Sequence, residues 1–597
     1  MIVENLNKTV TGGQFLISES NAADIFIPEE YNEEQKLIAD SCNDFVKREI
    51  IPILDRIDNQ EEGLMVSLLD KAAELGFFGI HVAAEYGGFD MNYTTSLLAT
   101  EYIGASHSFA VAFSANTGIG MTPIMYYGNE EQKKKYLPKV VSGEWKTCYC
   151  LTEPGSGSDA NSGRTKAVLT DDGKYYILNG QKMWITNGGF ADVMIVFAKI
   201  DDDATLSAFI VEKSFGGVQL MPEEHKMGIK GSSTVQIFFN DCKVPVENLL
   251  SERQQGFKIA LNILNMGRVK LAAATIGAGK ATISNSVQYS NERHQFGKSI
   301  SQFGAIKYKL AEQAIRVFAG ESALYRTANY IEQALGLHIK SGKTKSEAIL
   351  KAFEQFAPEA SILKVYSSEA LNYVADEGVQ IYGGMGFSAE APMDRTYRDS
   401  RINRIFEGTN EINRMVIVDM ILKRAMKGEL NLMGPALKIQ SELMSVPAMD
   451  STDNSPFAQE KKYIANFKKS VLMIAGTAAQ RLMNKLADEQ EILMNIADMI
   501  IDVFVSESVL LRLEKLVSLK GENENSERMA IMRVLVNDAA DRINKNGKEA
   551  INSFASGDEQ KMLLLGLKRF TKTEPFNAKE ARRLIADKLI EKNGYCF

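Results

Sequence analysis

The feature that most restricts this fold is a β-rich island of about a hundred residues inside an otherwise helical chain. From about 30 to 145 the sequence reads as helical. Asn32 followed by Gln35 resembles a capping box, and Leu37, Ile38, Cys42, Phe45, Val46 and Ile50 make an apolar stripe. Between about 148 and 250 the runs become short and β-rich: 174–178, 182–186, 193–200 and 206–211. Asn179-Gly180 falls between the first two and signals a hairpin. Helical patterns return from about 255 to 425, as in a bundle. A polar, loop-forming stretch, SVPAMDSTDNSP at 445–456, reads as a linker. Beyond it the chain is helical again, with Ile492, Leu493, Ile496, Met499 and Ile500 on one buried face. A chain of 597 residues is too long for a single core. The expected fold is mostly α with an inserted β domain. It comprises an N-terminal helical domain (1–147), a middle β domain (148–254), a helical bundle (255–430), a linker (431–457) and an extra C-terminal helical domain (458–597).

Several function classes drop out early. A formal charge of -8 argues against nucleic-acid binding, which calls for a basic excess. Five scattered cysteines point to a reducing compartment rather than a disulfide framework. Cys148 and Cys150 would share one face of a strand, but no His or Cys cluster supplies further ligands, so they read as core and no metal is expected. The opening residues have the pattern of neither a signal nor a transit peptide, and a cytoplasmic location is expected. No window approaches about 18 uninterrupted apolar residues, so no membrane-spanning helix is expected.

Two nucleotide-binding lookalikes fail on context. GSGSDA at 155–160 fits a loose dinucleotide fingerprint, but Asn161-Ser162-Gly163 is poor text for the helix that must follow. GAGKAT at 277–282 lacks the upstream Gly of a phosphate loop and lies within a helical run, so it reads as packed helix.

CLTEPGSGSD at 150–159 is a stronger candidate. Its small residues leave backbone N–H groups free for an anion, and Thr152 and Ser158 add hydroxyl donors; a plain Gly/Ser surface loop is an equal reading. In KMWITNGG at 182–189, Trp184 beside Thr186 at strand spacing suits the edge of a planar heterocycle, although a lone Trp is more often core.

With these segments the chain resembles the acyl-CoA dehydrogenase family. CLTEPGSGSD and KMWITNGG are similar to its two flavin-contacting segments. ERHQFG (292–297), QIYGGMGF (380–387) and FEGTNEI (406–412) follow in family order, and the likeness covers roughly 30–425. The resemblance implies FAD as cofactor, with Tyr149, Leu151, Thr152, Gly157, Ser158, Trp184, Thr186, Thr409 and Glu411 around it. Arg293, Phe296, Gln380, Gly383 and Gly384 would reach it from a neighbouring subunit, which implies a homodimer. An acyl-CoA substrate would meet Ser158, Arg268, Gly408 and Gly120, and electrons would pass to electron-transferring flavoprotein. Glu407 would be the catalytic base. Some branches of the family carry the base on a helix just before an Arg; here Gly267 precedes Arg268, which leaves Glu407. Nitroalkane-oxidising relatives use Asp at the loop position. A carboxylate base needs burial to lift its pKa toward neutrality. On residues alone, Glu407 also reads as a solvated carboxylate beside Arg395, Arg398, Arg401 and Arg404. An acyl-CoA oxidase and a catalytically silent scaffold are the competing functions.

The extra helical unit and the stretch RLIADK (583–588) resemble the very-long-chain branch. By that likeness, residues 115–120 would line the bottom of an acyl cavity, where small side chains leave room for a long tail. Between 458 and 480, Lys461, Lys462, Lys468 and Lys469 interleave with Tyr463, Ile464, Phe467 and Val471. Two readings stand for this stretch: a basic amphipathic helix on anionic lipid, or a helix packed on its own protein.

Overall fold

A computed structural model of the chain describes residues 10–443 and 456–597. The first helix, α1 (Glu33–Phe45), starts at the capping box: Gln35 N donates to Asn32 Oδ1 at 2.8 Å and Asn32 N to Gln35 Oε1 at 3.1 Å. Its stripe buries Cys42 and Phe45, and Val46 and Ile50 continue it in the next turn; Leu37 instead lies 70% exposed. One residue before Ile38, it is turned about 100° around the helix, off the buried edge. Two further helices, α2 (Tyr93–Ile103) and α3 (Ser108–Ser114), lead into a π-helical turn, Ala115–Gly120.

The β domain is an eight-stranded sheet: β1 (Thr147–Cys150), β2 (Lys166–Leu169), β3 (Tyr175–Thr186), β4 (Val193–Ile200), β5 (Ser207–Glu212), β6 (Val218–Leu220), β7 (Thr234–Pro245) and β8 (Leu249–Leu250). Its order is β6-β7-β3-β2-β4-β5-β8, with β1 pairing parallel to β4. The hairpin expected at Asn179-Gly180 does not form, because β3 runs straight through it with a shift in register against β7. Asn179 Nδ2 donates to Asp241 Oδ1 at 3.0 Å, and Asp241 N donates back to Asn179 Oδ1 at 2.8 Å. At Gly180 a Cβ would fall 2.5 Å from Thr165 Oγ1, so the glycine answers to a close strand approach at a bulge. The turn lies earlier, at 171–174, where Gly173 takes φ 67°. Cys148 and Cys150 face the sealed sheet core with Sγ atoms 3.7 Å apart, and Tyr149 points the other way. The described residues contain no metal-ligand cluster.

The bundle is built from α4 (Gly256–Glu292), α5 (Gly304–Lys340), α6 (Ala357–Tyr382) and α7 (Asn410–Met426). By length and composition α4 is apolar enough to cross a membrane, but polar residues interrupt it and 78% of its most apolar window is buried inside the fold. Glycines let α2 and α4 cross closely. A Cβ on Gly277 would sit 1.7 Å from the carbonyl oxygen of Glu101, and one on Gly104 2.2 Å from that of Ala274. GAGKAT is thus helix-packing sequence, and no helix of useful length follows GSGSDA.

Within the stretch expected as linker, residues 433–443 form a helix, α8 (Met433–Leu443); residues 444–455 lie outside the described residues. The extra unit comprises α9 (Ala458–Leu482), α10 (Gln490–Lys520), α11 (Ser526–Phe554), α12 (Gly557–Phe570) and α13 (Ala578–Lys592). It is locked to the bundle by buried ion pairs. Arg326 reaches Glu507 at 2.7 Å, and Arg512 reaches Glu321 and Glu29, each at 2.8 Å. Glu29 marks a second correction: the segment 10–31 packs on the bundle and the extra unit rather than within the N-terminal helices, with the rings of Phe15 and Phe504 4.8 Å apart. On α9, Ile464, Phe467 and Val471 are buried, Lys468 bonds Ser18 O and Glu507, and Lys469 pairs with Glu442. The apolar face needed for lipid contact through 458–480 is therefore spent on the protein itself.

Candidate active site

The loop before α7 sets the site. Its neighbours in the basic stripe are already engaged: Arg395 with Asp55 and Asp58, Arg398 with Asp394, and Arg404 with Asn372. The chain then turns through two successive left-handed residues, Glu407 (φ 58°) and Gly408 (φ 84°). Glycine adopts that conformation freely. For glutamate it costs on the order of 1–3 kcal/mol and persists only where the surroundings hold it.

Here the surroundings grip the carbonyls of the loop. Arg268 Nε donates to Glu407 O at 3.3 Å, Lys364 Nζ to Gly408 O at 2.7 Å, and Asn413 Nδ2 to Gly408 O at 2.8 Å and Thr409 O at 3.0 Å. Lys364 also donates to Asn410 Oδ1 at 2.7 Å. Thr409 caps α7, its Oγ1 accepting from Ile412 N, and its hydroxyl also engages Glu411, which is exposed.

The side chain of Glu407 turns inward, and its Oε2 is buried with no hydrogen-bond partner among the described residues. Burial pushes its carboxyl up to about 7, against the opposing pull of Arg268 and Lys364. Burial likewise brings the Lys364 ammonium down to about 7 and the Arg268 guanidinium to about 10. Arg268, expected at the substrate, is buried and bonds Asn265 Oδ1 (2.8 Å) as well as the Glu407 carbonyl.

Glu407 opens into a cavity of about 790 Å³ lined by Gly267, Leu271, Ala115, Gly118 and Phe406, with Thr186 of the β domain on its wall. Gly120 is not part of it. A Cβ there would fall 2.2 Å from Thr147 Oγ1, so this glycine admits β1 rather than a ligand.

The two candidate flavin segments meet at the sheet edge. Met183 N donates to Thr152 O at 2.9 Å, and the loop is pinned by Glu153, which accepts from Lys182 Nζ (2.7 Å), Arg164 N (2.5 Å) and Thr165 N (3.1 Å). Trp184 is held at φ 61° with its indole 52% exposed; Gly155, Gly157 and Ser158 are exposed, with open space beside both glycines. An exposed indole, hydroxyl donors and unshielded backbone beside the cavity fit a planar cofactor carrying a phosphate chain. Tyr149 and Leu151 are both buried, Tyr149 with its ring 4.9 Å from Phe197 and its hydroxyl without a partner among the described residues. Arg293, Phe296, Gln380, Gly383 and Gly384 are exposed, and none lines the cavity.

Sequence reasoning missed Lys364, Asn410 and Asn413. A signal existed for the first: Lys364 interrupts the apolar run Ile362-Leu363-Lys364-Val365, and a charge there must be paired or functional.

Fold and site together define an FAD-dependent oxidoreductase built of helical, β and helical domains. Acyl-CoA dehydrogenase family descriptions match in the same order: the N-terminal domain at 32–144, the middle domain at 148–242, and C-terminal domains at 254–422 and 466–569. A Bacillus subtilis (strain 168) protein named as a probable acyl-CoA dehydrogenase is 43% identical over 585 residues, covering 98% of each chain. The human mitochondrial very long-chain specific acyl-CoA dehydrogenase is 44% identical over 377 residues, 61% of this chain and 54% of that one. A Bacillus anthracis acyl-CoA dehydrogenase complexed with FAD superposes with a TM-score of 0.95 at 44% identity, covering 98% of this chain and all of that one. Butyryl-CoA dehydrogenase from Megasphaera elsdenii gives 0.59 at 34% identity, over 66% of this chain and 99% of that one. The chain belongs to the acyl-CoA dehydrogenase family.

Proposed function

We propose that this enzyme desaturates long-chain fatty acyl-CoA between the α and β carbons, with Glu407 as the base. The observation that carries this reading is the Glu407 carboxyl: buried, unpartnered at Oε2, lifted to about 7 and facing a cavity whose wall includes Thr186 beside the exposed Trp184. Glu407 takes the α-proton, the C–H electrons form the new double bond, and the β-hydrogen departs with its electron pair. Bound FAD supplies the acceptor of that hydride. The Glu407 backbone N–H, which has no acceptor among the described residues, would donate to the thioester carbonyl and stabilise the charge that develops there. Small lining residues such as Ala115, Gly118, Ala274 and Ala278 favour a long apolar tail.

The same reading places a second copy of the chain against the exposed Phe296 (93%) and Phe387 (90%), where Arg293 and Gln380 would reach the partner's flavin. Electron-transferring flavoprotein is the proposed acceptor, and the cytoplasm the proposed location.

An anaerobic titration of FAD-loaded protein with acyl-CoAs of four to eighteen carbons tests the proposal. Flavin bleaching that favours long chains and is lost in Glu407→Gln is expected. Equal bleaching by butyryl- and palmitoyl-CoA would remove the chain-length assignment, and near-normal bleaching in Glu407→Gln would remove the base.

A further inference from the structure

The cavity does not end beneath the base. One face of α4 lines it through Gly267, Leu271, Ala274, Ala278, Ala281 and Asn285, at alternating steps of four and three residues. Eighteen residues of helix at ~1.5 Å each make this wall about 27 Å long. At its far end the lining comes from the extra helical unit: Tyr595, Cys596 and Phe597.

That segment is fastened to α4 rather than draped over it. Asn291 Nδ2 donates to Asn593 Oδ1 at 2.9 Å, and Tyr595 N donates to Ser284 Oγ at 3.1 Å. The Lys280 ammonium stands 5.5 Å from the Tyr595 ring centroid, and the rings of Tyr595 and Phe597 meet edge to face at 6.1 Å. Lys280 also faces the cavity, but its charge is taken up by Glu101 (2.6 Å) and Glu321.

Taking the cavity as the acyl site proposed above, we infer that Tyr595 and Phe597 form its far wall and set the longest acyl chain accepted. The extra helical unit then measures the substrate, through two aromatic rings held about five turns of helix from the base. Although Lys280 and Asn285 also border this end, an aromatic ring closing it rewards a chain that just reaches it and excludes one that is longer.

Two variants test this in the full-length, FAD-loaded enzyme, read as the ratio of kcat/KM for twenty-carbon over twelve-carbon acyl-CoA in anaerobic flavin reduction. Phe597→Ala removes the wall and should raise the ratio about fivefold or more. Ala278→Leu fills the channel midway and should lower it by a similar factor. A general loss of folding would scale both substrates together and leave the ratio where it was. A ratio within about twofold of the parent in either variant overturns the inference while the site reading stands. A parent enzyme bleached by no acyl-CoA overturns both.

Discussion

The carboxylate of Glu407 rests against the backbone of Gly267, where the first carbon of any side chain would lie 2.8 Å from Oε2. The two positions cannot both be filled: the space a residue at 267 would take is the space the Glu407 carboxylate occupies. Gly267→Ala must displace that carboxylate, which is the base proposed above. The expected result is intact FAD binding with flavin reduction slowed on the order of 10²-fold, since misplacing a catalytic group by about 1 Å has effects of that size. Stopped-flow reduction under excess substrate is the measurement.

The raised carboxyl of Glu407 sets the pH dependence. Only the ionised form accepts a proton, so kcat/KM for flavin reduction should rise with pH through an apparent pKa near 7 and level off above it. The linkage has a definite sign. A folded-state pKa above the ordinary carboxylate value means that ionisation opposes folding. Glu407→Gln should therefore be more stable than the parent at pH 8, with the gain shrinking as pH falls from about 7 toward the ordinary carboxylate range. Thermal midpoints between pH 4.5 and 8 would show it, and a variant less stable than the parent at pH 8 would contradict it.

Lys270 has the opposite charge and the same problem. It is buried, its Nζ meets only Thr117 O among the described residues, at 3.5 Å, and burial pulls it down to about 8. A lowered lysine pKa means that the protonated form opposes folding, fully below about pH 8 and progressively less as pH rises toward the ordinary lysine value. Lys270→Met should stabilise the protein at pH 7, by about 3 kcal/mol at most, with the advantage fading between about pH 8 and 10. Denaturant melts at pH 7 and pH 10 would test this.

Lys364 is tied to the loop by Gly408 O and Asn410 Oδ1. Lys364→Met takes the ammonium from Asn410 Oδ1 and leaves Gly408 O with Asn413 alone, which loosens the hold on a left-handed glutamate. Flavin reduction should fall about tenfold or more while FAD content holds; the split between the two readouts separates loss of positioning from loss of fold.

Arg512 is almost fully buried between Glu321 and Glu29. Truncating it takes the arginine from Glu29 and leaves Glu321 with Lys280 alone, so Arg512→Ala should cost about 3 kcal/mol or more. Urea melts would measure the loss, and a change below about 1 kcal/mol would mean that water reaches the joint.

How much was legible in the sequence depended on what each signal physically encodes. The four-unit order was readable because hydrophobic period is set by local geometry. The meeting of CLTEPGSGSD with KMWITNGG and of FEGTNEI with Gly267 was implied only through family likeness, since no local rule places residues 407 and 267 together. Asn179-Gly180 misled because a bulge and a tight turn ask for the same residues, and only the cross-strand partner Asp241 distinguishes them. Gly120 misled for a related reason: a small residue beside a cavity can make room for a ligand or for the next strand. Asn413 went unseen because its partners are backbone carbonyls, which leave no trace in side-chain chemistry, whereas Lys364 did leave one, a charge inside an apolar run, with nothing local to say what it pairs with.

The buried arginines joining the extra helices to the bundle carry one more consequence. Cutting this chain back to the length shared with the butyryl-CoA enzyme would not yield a working short enzyme. Glu321 would lose Arg512, Arg326 would lose Glu507, and Phe15 would lose the ring it packs on. In this chain the extra unit is thus part of how the bundle is closed, and a shortened version would need α5 rewritten together with the opening segment.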